Sequence, residues 1–364
     1  MAEIRMAELD VANVAKLVGM RARERAYDAL EMLEECTVPL YFIGQPGTSK
    51  TATAKAVAKR YAYLHSEYDE EGNFIRKCTP FYFQLGPDES KTTLMIGHRL
   101  VQGNLEIVKG VLAYAASLPG GAVVVIDEVT QSTNEVILLL NAFDGRESII
   151  SIGDEAIDAS KVCIIYASND SSNEGNIPVP PSLANRVYDI EFDYGDWQEE
   201  FEIAKAVALK ESKSGIITVP DSVMKFITSY VREMRNPDTK NKKEPPCAYP
   251  LSVRNIAKAI LAMNARAKAA KLNGVNGHID PYFKTGSNKE AILKTIAKRV
   301  LNKELADVTA IGHPDVVEFI EFVSLISKDK FVQIIKRAMN VHLDIAGAGV
   351  GYDEHVQRLC SSIL

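Results

Sequence analysis

Eight residues, Gly44-Gln45-Pro46-Gly47-Thr48-Ser49-Lys50-Thr51, restrict the architecture more than any other segment of the chain. An apolar run, Val38 to Ile43, precedes them, and an Ala/Lys-rich run, Ala52 to Arg60, follows. Strand, glycine-bearing loop and helix in that order are the context that a phosphate-binding loop needs. In such a turn the backbone N–H groups and the helix N-terminus converge on one spot, where dipole and hydrogen bonds favour phosphate. Lys50 then adds a point charge between the outer phosphates, and the Thr51 hydroxyl a ligand for Mg²⁺. The pattern expects Gly where this chain has Ser49, a small residue that the turn can still hold.

A chain of 364 residues has room for two or three domains and a sizeable core. With 25% charged and 46% apolar residues it has the profile of a water-soluble globular protein. The net charge of −6 does not recommend nucleic acid as an obligate partner. No apolar run approaches the roughly 18 residues that would span a bilayer, and the charged start (Glu3, Arg5, Glu8, Asp10) does not read as a signal peptide. Five cysteines stand far apart without CxxC spacing, which fits free thiols in a reducing cytoplasm better than a disulfide scaffold or a zinc site.

The order of segments reads as α/β and then α. Residues 1–35 carry helical spacing, 38–43 a strand, 50–65 a helix, and Ser66 to Lys77 an exposed connection. Thr79 to Leu85 is a second strand, with the aromatics of Phe81-Tyr82-Phe83 mostly in the core. A short helix is expected from Glu89 to Ile96, and a helix over 105–117. Ala122 to Ile126 is an unbroken apolar run, the mark of a strand buried on both faces. A helix follows at 133–143, then a hairpin over 147–159 around Gly153-Asp154. Strands at 161–167 and 187–192 complete a parallel sheet ending near residue 194. Beyond it the pattern is almost wholly helical: 197–213, 220–234, 252–271, 288–304, 313–326 and 328–340. The expected domains are 1–195 (N-terminal helix and nucleotide-binding α/β domain), 196–305 (helical lid) and 306–364 (helical extension).

Chemistry collects at three further places. Val123-Val124-Val125-Ile126 ends in Asp127-Glu128, so a buried strand delivers two carboxylates to the crevice where α/β sheets bind ligands. Asp127 would hold Mg²⁺ and Glu128 would polarise a water, although acidic strand ends also occur with no function. Asn169 follows the next buried strand, where an amide can bond both a γ-phosphate and the water; taken alone it is a turn-forming Asn. Arg186, in Leu183-Ala184-Asn185-Arg186, ends a short helix before a strand and could reach a neighbour's nucleotide, or be a solvated surface Arg. Arg254 opens a helix in the second half and could contact the γ-phosphate from the other side.

Taken in order, Gly-x-Pro-Gly-Thr-x-Lys-Thr, Val-Ile-Asp-Glu-Val, the Asn after the next strand, Leu-Ala-Asn-Arg and Leu-Ser-x-Arg resemble the motif set of AAA+ ATPases. Leu94-Met95-Ile96-Gly97, Lys109-Gly110-Val111-Leu112 and Leu138-Leu139-Leu140-Asn141-Ala142-Phe143 followed by Arg146 look most like the MoxR-like, dynein-related branch. The resemblance covers roughly 35–275. It implies a parallel-sheet P-loop core with a helical lid, and ATP with Mg²⁺ as ligands. It gives Lys50, Thr51, Asp127, Glu128, Asn169, Arg186 and Arg254 the roles of phosphate grip, magnesium ligands, water activation, first sensor, arginine finger and second sensor. Arg146 is a second candidate for acting in trans. Gly97 to Gly103 would be the helix-two insertion and Glu147 to Ala159 the hairpin before the first sensor, both facing the pore of a homo-oligomeric ring of six subunits.

Four functions compete. The first is a cytoplasmic mechanochemical ATPase that remodels or matures a protein partner, chosen by the pore loops or by a separate adaptor. The second is a nucleic-acid motor, which the acidic balance and the Asp154, Glu155 and Asp158 of the hairpin oppose. The third is a nucleotide-gated module without turnover, for which only Ser49 speaks. The fourth, a small-molecule kinase, lacks the paired acids, the sensor Asn and the lid in this order.

Overall fold

The computed structural model describes residues 14, 16–36, 38–86, 94–101, 104–133, 136, 137, 140, 143, 149–152, 155–169, 179, 181–235 and 251–272. The chain divides into two compact units, Met1–Tyr194 and Gly195–Leu364.

The first unit is built on a five-stranded parallel sheet. Its strands are β1 (Leu40–Gly44), β4 (Thr79–Gln84), β7 (Ala122–Asp127), β10 (Val162–Asn169) and β11 (Tyr188–Phe192), in the spatial order β11-β1-β10-β7-β4. The chain leaves β1 for the far edge, walks back through β7 to β10, and finally crosses to β11 on the other side of β1. The loop after β1 therefore leaves the sheet where the strand order reverses, which is where open α/β sheets form a crevice at their carboxyl ends.

β7 explains why its sequence is unbroken in apolarity. Val123 and Val125 enter one core together with Phe42, Ile165 and Ala167, while Val124 and Ile126 enter a second core with Leu112, Ile164 and Tyr166. Alternation sends successive side chains to opposite faces, and both faces are covered. Each of these fully buried aliphatic chains stabilises the fold by roughly 1.5–3 kcal/mol. The first core is closed by α1 (Met20–Glu35) and α2 (Lys50–Leu64). α1 buries Ala22, Ala26, Ala29, Leu30 and Leu33, a stripe at helical spacing. α2 is rich in alanine, so it lies close against the sheet through Ala54, Val57, Ala58 and Ala62. The second core is covered by α3 (Val111–Ala116).

Among the described residues three antiparallel hairpins accompany this sheet: β2 (Glu67–Tyr68) with β3 (Phe74–Arg76), β5 (Ile96–Val101) with β6 (Asn104–Lys109), and β8 (Ile149–Ile152) with β9 (Glu155–Asp158). The first replaces the simple connection expected over 66–77. Its turn is tied by Asp69, whose carboxylate accepts from the Glu71 and Asn73 amides at 3.0 and 2.7 Å. The second corrects the helix expected over 105–117: the segment is strand to Lys109, and only Val111–Ala116 is helical. Leu105, Ile107 and Val108 favour extended backbone once a partner strand is present, and Val101 pairs directly with Asn104. The third hairpin bears out the reading of 147–159. Most of each helix expected, over 89–96 and over 133–143, lies outside the described residues, and Ile96, expected to end the first of them, opens β5 instead.

In the second unit the described elements are the helices α5 (Trp197–Glu211), α6 (Asp221–Arg235) and α7 (Val253–Leu272). Asp196 caps α5 by accepting from the Glu199 amide at 2.8 Å. Within this bundle Glu200, 1% exposed, accepts from Arg232 at 2.5 Å and Arg235 at 2.6 Å. A buried carboxylate needs such partners, because its desolvation is otherwise uncompensated. Asn264 ties α7 to the loop between α5 and α6 by accepting from Thr218 N and Oγ1 and donating to Ile216 O. The helices expected beyond residue 272 lie outside the described residues.

Candidate active site

The phosphate-type loop runs from Gly44 at the end of β1 into the first turn of α2. Gly44 is required by contact: a Cβ there would stand 2.0 Å from the Phe192 carbonyl oxygen of the neighbouring β11. Ser49 occupies the N-cap of α2 at φ 72°, ψ 10°, in the left-handed region, and its hydroxyl makes no capping bond. The position calls for glycine on conformational grounds, and serine holds it at a cost of about 1–2 kcal/mol. The loop is closed internally by Thr48 Oγ1 donating to Gln45 O at 2.8 Å, and from outside by Tyr194 Oη donating to Pro46 O at 2.8 Å.

Lys50 is 6% exposed and donates to Gly44 O (2.9 Å), Gln45 O (2.7 Å) and Asn169 Oδ1 (3.2 Å). The sheet register explains the last contact, since Gly44 and Asn169 are direct partners on β1 and β10. Asn169 is the last residue of β10 and not a residue beyond it. Its Nδ2 donates to both Glu128 oxygens at 3.3 Å. Glu128 sits at φ 57°, a second left-handed non-glycine residue, at the turn from β7 into a short 3₁₀ segment (Val129–Gln131). Gln131 Nε2 reaches back to Glu128 Oε2 at 3.1 Å. Strained non-glycine backbone confined to Ser49 and Glu128, among the described residues, is a pattern associated with functional sites.

Asp127 is 6% exposed. Its Oδ2 accepts from Thr51 Oγ1 at 2.8 Å and from Tyr82 Oη at 2.9 Å, and its Oδ1 from the Glu128 amide at 3.1 Å. Thr51 and Asp127 form a hard-oxygen pair. Mg²⁺ fits such a pair, because it keeps several waters and takes one or two protein oxygens together with substrate phosphates. No group of three or more His, Cys, Asp or Glu that could cage an ion occurs among the described residues.

The structure thus brings together Gly44, Gln45, Pro46, Gly47, Thr48, Ser49, Lys50, Thr51, Asp127, Glu128 and Asn169. Arg186 is not among them. It stands in the turn after α4 (Pro181–Ala184), two residues before β11, whose first residue pairs with Leu40. That is the amino edge of the sheet, away from the loop that follows Gly44. Arg254 is exposed in the first turn of α7 in the second unit, where Ser252 N donates to Asn255 Oδ1 at 2.8 Å to cap the helix. Arg146 lies outside the described residues. Phe81 and Phe83 pack against the second core as expected, and Tyr82 between them is the exception, 41% exposed on β4, an edge strand among those described. Tyr82 and Tyr194 were missed because their partners lie 45 and 148 residues away in sequence, and Gln131 because its contact with Glu128 depends on the 3₁₀ turn after β7.

A parallel sheet with a phosphate loop at its reversal point and an acid pair two strands away defines a P-loop nucleoside triphosphatase. Residues 39–187 match the AAA domain of the dynein-related subfamily. It is 27% identical over 225 residues to mitochondrial Lon protease homologue 1 of Dictyostelium discoideum, an alignment covering 54% of this chain and 20% of that protein. The chain therefore spans about a fifth of that relative's length. A candidate ATPase of known structure from Cytophaga hutchinsonii is similar over 87% of this chain and 93% of its own, at 20% identity and a TM-score of 0.40. No helix among the described residues is long and apolar enough to cross a membrane.

Proposed function

We propose that this chain is a MoxR-like ring ATPase that uses ATP hydrolysis to remodel or mature a protein partner. The observation that carries the reading is the continuous chain Lys50–Asn169–Glu128. One amide touches both the phosphate-gripping ammonium and the carboxylate placed to polarise water, so occupancy of the loop and readiness to hydrolyse are coupled through a single side chain. Lys50 and the loop amides hold the β- and γ-phosphates. Thr51 and Asp127 hold Mg²⁺, which neutralises charge on the phosphates when bound. Glu128 orients the attacking water and accepts its proton.

Arg186 belongs to a neighbour's site. Its place at the amino edge of the sheet puts it away from the loop of its own subunit, and an arginine acting in trans requires closed assembly, for which six subunits are the expected number. Arg146 is a second candidate for that role, and Arg254 would sense the γ-phosphate from the lid. A protein client is favoured over nucleic acid by the net charge of −6 and by the acidic Asp158 of β9. The Ser160 hydroxyl beside Asp158, helped by Lys161, holds this carboxyl below its ordinary range, so it stays ionised and would repel a phosphate backbone.

The test is Glu128→Gln. ATP hydrolysis should fall by about 10²–10⁴-fold, with ATP still bound and assembly favoured. The trapped variant should retain client protein in a pull-down. Hydrolysis at the parent rate would remove Glu128 from the mechanism.

A further inference from the structure

The edge strand β4 contributes a side chain to the metal-binding pair that the assigned roles leave unused. Register sets Gln84 opposite Asp127 and Tyr82 opposite Val125, so period-two alternation sends Tyr82 to the same face as Asp127. The ring is 41% exposed and its open face is covered by Lys55, whose Nζ stands 3.4 Å from the ring centroid. The hydroxyl donates to Asp127 Oδ2 at 2.9 Å, beside the Thr51 donor at 2.8 Å on the same oxygen. A ring serving only to cover the sheet would not need a hydroxyl aimed at a carboxylate that is 6% exposed.

Asp127 ends in a carboxylate whose last torsion is soft, with a broad two-fold profile. The Glu128 amide restrains Oδ1. Oδ2 is restrained by Thr51, but that hydroxyl must also offer a lone pair to the metal; with one proton and two lone pairs it can do both only if the carboxylate stays where it is. Tyr82 is the donor on Oδ2 with no such second duty. The Lys55 cation fixes the ring by an attraction that survives partial exposure, and by drawing on the ring's electrons it makes the phenol a better donor.

We propose that Tyr82, held by Lys55, is a positioning residue for the Mg²⁺ of bound nucleotide: it fixes the plane of the Asp127 carboxylate so that its remaining lone pairs face the metal and its waters. This rests on the ATPase reading of the site. Outer partners of this kind typically change metal affinity by about 10–100-fold when removed.

The variant is Tyr82→Phe, which keeps the ring under Lys55 and deletes one exposed hydroxyl. Fluorescent ADP is titrated with and without Mg²⁺, and Mn²⁺ binding to the ADP complex is followed by electron paramagnetic resonance. Metal-free ADP should bind as to the parent. The Mg²⁺ or Mn²⁺ concentration at half-saturation should rise at least about tenfold, and turnover should approach the parent's when Mg²⁺ is saturating. Lys55→Met should move the metal response in the same direction by less. An unchanged metal response in Tyr82→Phe would overturn the role of Tyr82 even if hydrolysis fell. Loss of metal-free ADP binding would equally overturn it, because the loop itself would have been disturbed. A parent protein without Mg²⁺-dependent nucleotide binding would bring down the ATPase reading and this proposal together.

Discussion

Ser49→Gly isolates the one departure in the phosphate loop. Ser49 carries a Cβ at φ 72° and makes no capping hydrogen bond, so in the folded state its side chain contributes strain and no bond. Left-handed backbone costs an L residue about 1–2 kcal/mol, and glycine removes that cost. Glycine also gives the unfolded chain more freedom, which returns about 0.5–1 kcal/mol. The balance is a stabilisation of roughly 0.5–1 kcal/mol, or about 1–4 °C in Tm at 2–4 °C per kcal/mol for a unit of this size. Nucleotide affinity should be equal or slightly tighter, because the backbone amides already hold the conformation that glycine prefers. Ser49→Ala keeps the strained Cβ and loses only the hydroxyl, so it should match the parent in both Tm and affinity. The assay is thermal unfolding of the nucleotide-free protein, paired with a fluorescent-ADP titration. A lower Tm in Ser49→Gly, or a several-fold loss of ADP affinity in Ser49→Ala, would show that the hydroxyl takes part in the site and would refute the strain argument.

Gly44→Ala should destabilise by at least about 3 kcal/mol, since the new methyl cannot clear the Phe192 carbonyl at 2.0 Å without separating β1 from β11. Thermal unfolding should register a fall of roughly 6–12 °C, and an unchanged Tm would contradict the contact. Burial pushes the Cys78 thiol up to about 11 and that of Cys163, with Cys78 nearby, up to about 12, from 9.0. Above pH 9 the unfolded chain therefore loses protons that the fold retains, and stability falls as pH rises, by up to about 1.4 kcal/mol per unit per thiol. Urea midpoints between pH 8 and 10.5 should decline more steeply for the parent than for a Cys78→Ala/Cys163→Val variant; equal slopes would exclude the thiols as the cause.

The phosphate loop, the acid pair and the parallel strands were legible because each is a local signal: a glycine-bearing turn between a strand and a helix, or an apolar run buried on both faces. What escaped depends on long-range pairing. Glu67–Tyr68 and Phe74–Arg76 are two and three residues long, too short to carry a period. Leu105, Ile107 and Val108 suit either a strand or one face of a helix, and the partner strand Ile96–Val101 decided between them. Nothing marked Tyr82 out within a mostly core aromatic run, since its hydrogen-bond partner lies 45 residues away. The roles of Arg186 and Arg254 were legible only as expectations, because each depends on another subunit or another unit.

The strand order also sets a timetable for synthesis. β1 is flanked by β10 and β11, both made more than a hundred residues after it. At about 5–20 residues per second, a ribosome needs roughly 7–30 s between Leu40 and the completion of β11. Until β10 is made, Leu40, Tyr41 and Phe42 lack both native lateral partners, and until β11 is made one side of β1 stays open. The three hairpins, by contrast, join residues close in sequence and can close as soon as they emerge. A nascent chain of this protein is thus exposed for aggregation at the very strand that leads into the proposed phosphate loop, and that loop gains both flanking strands only after the chain has passed Phe192.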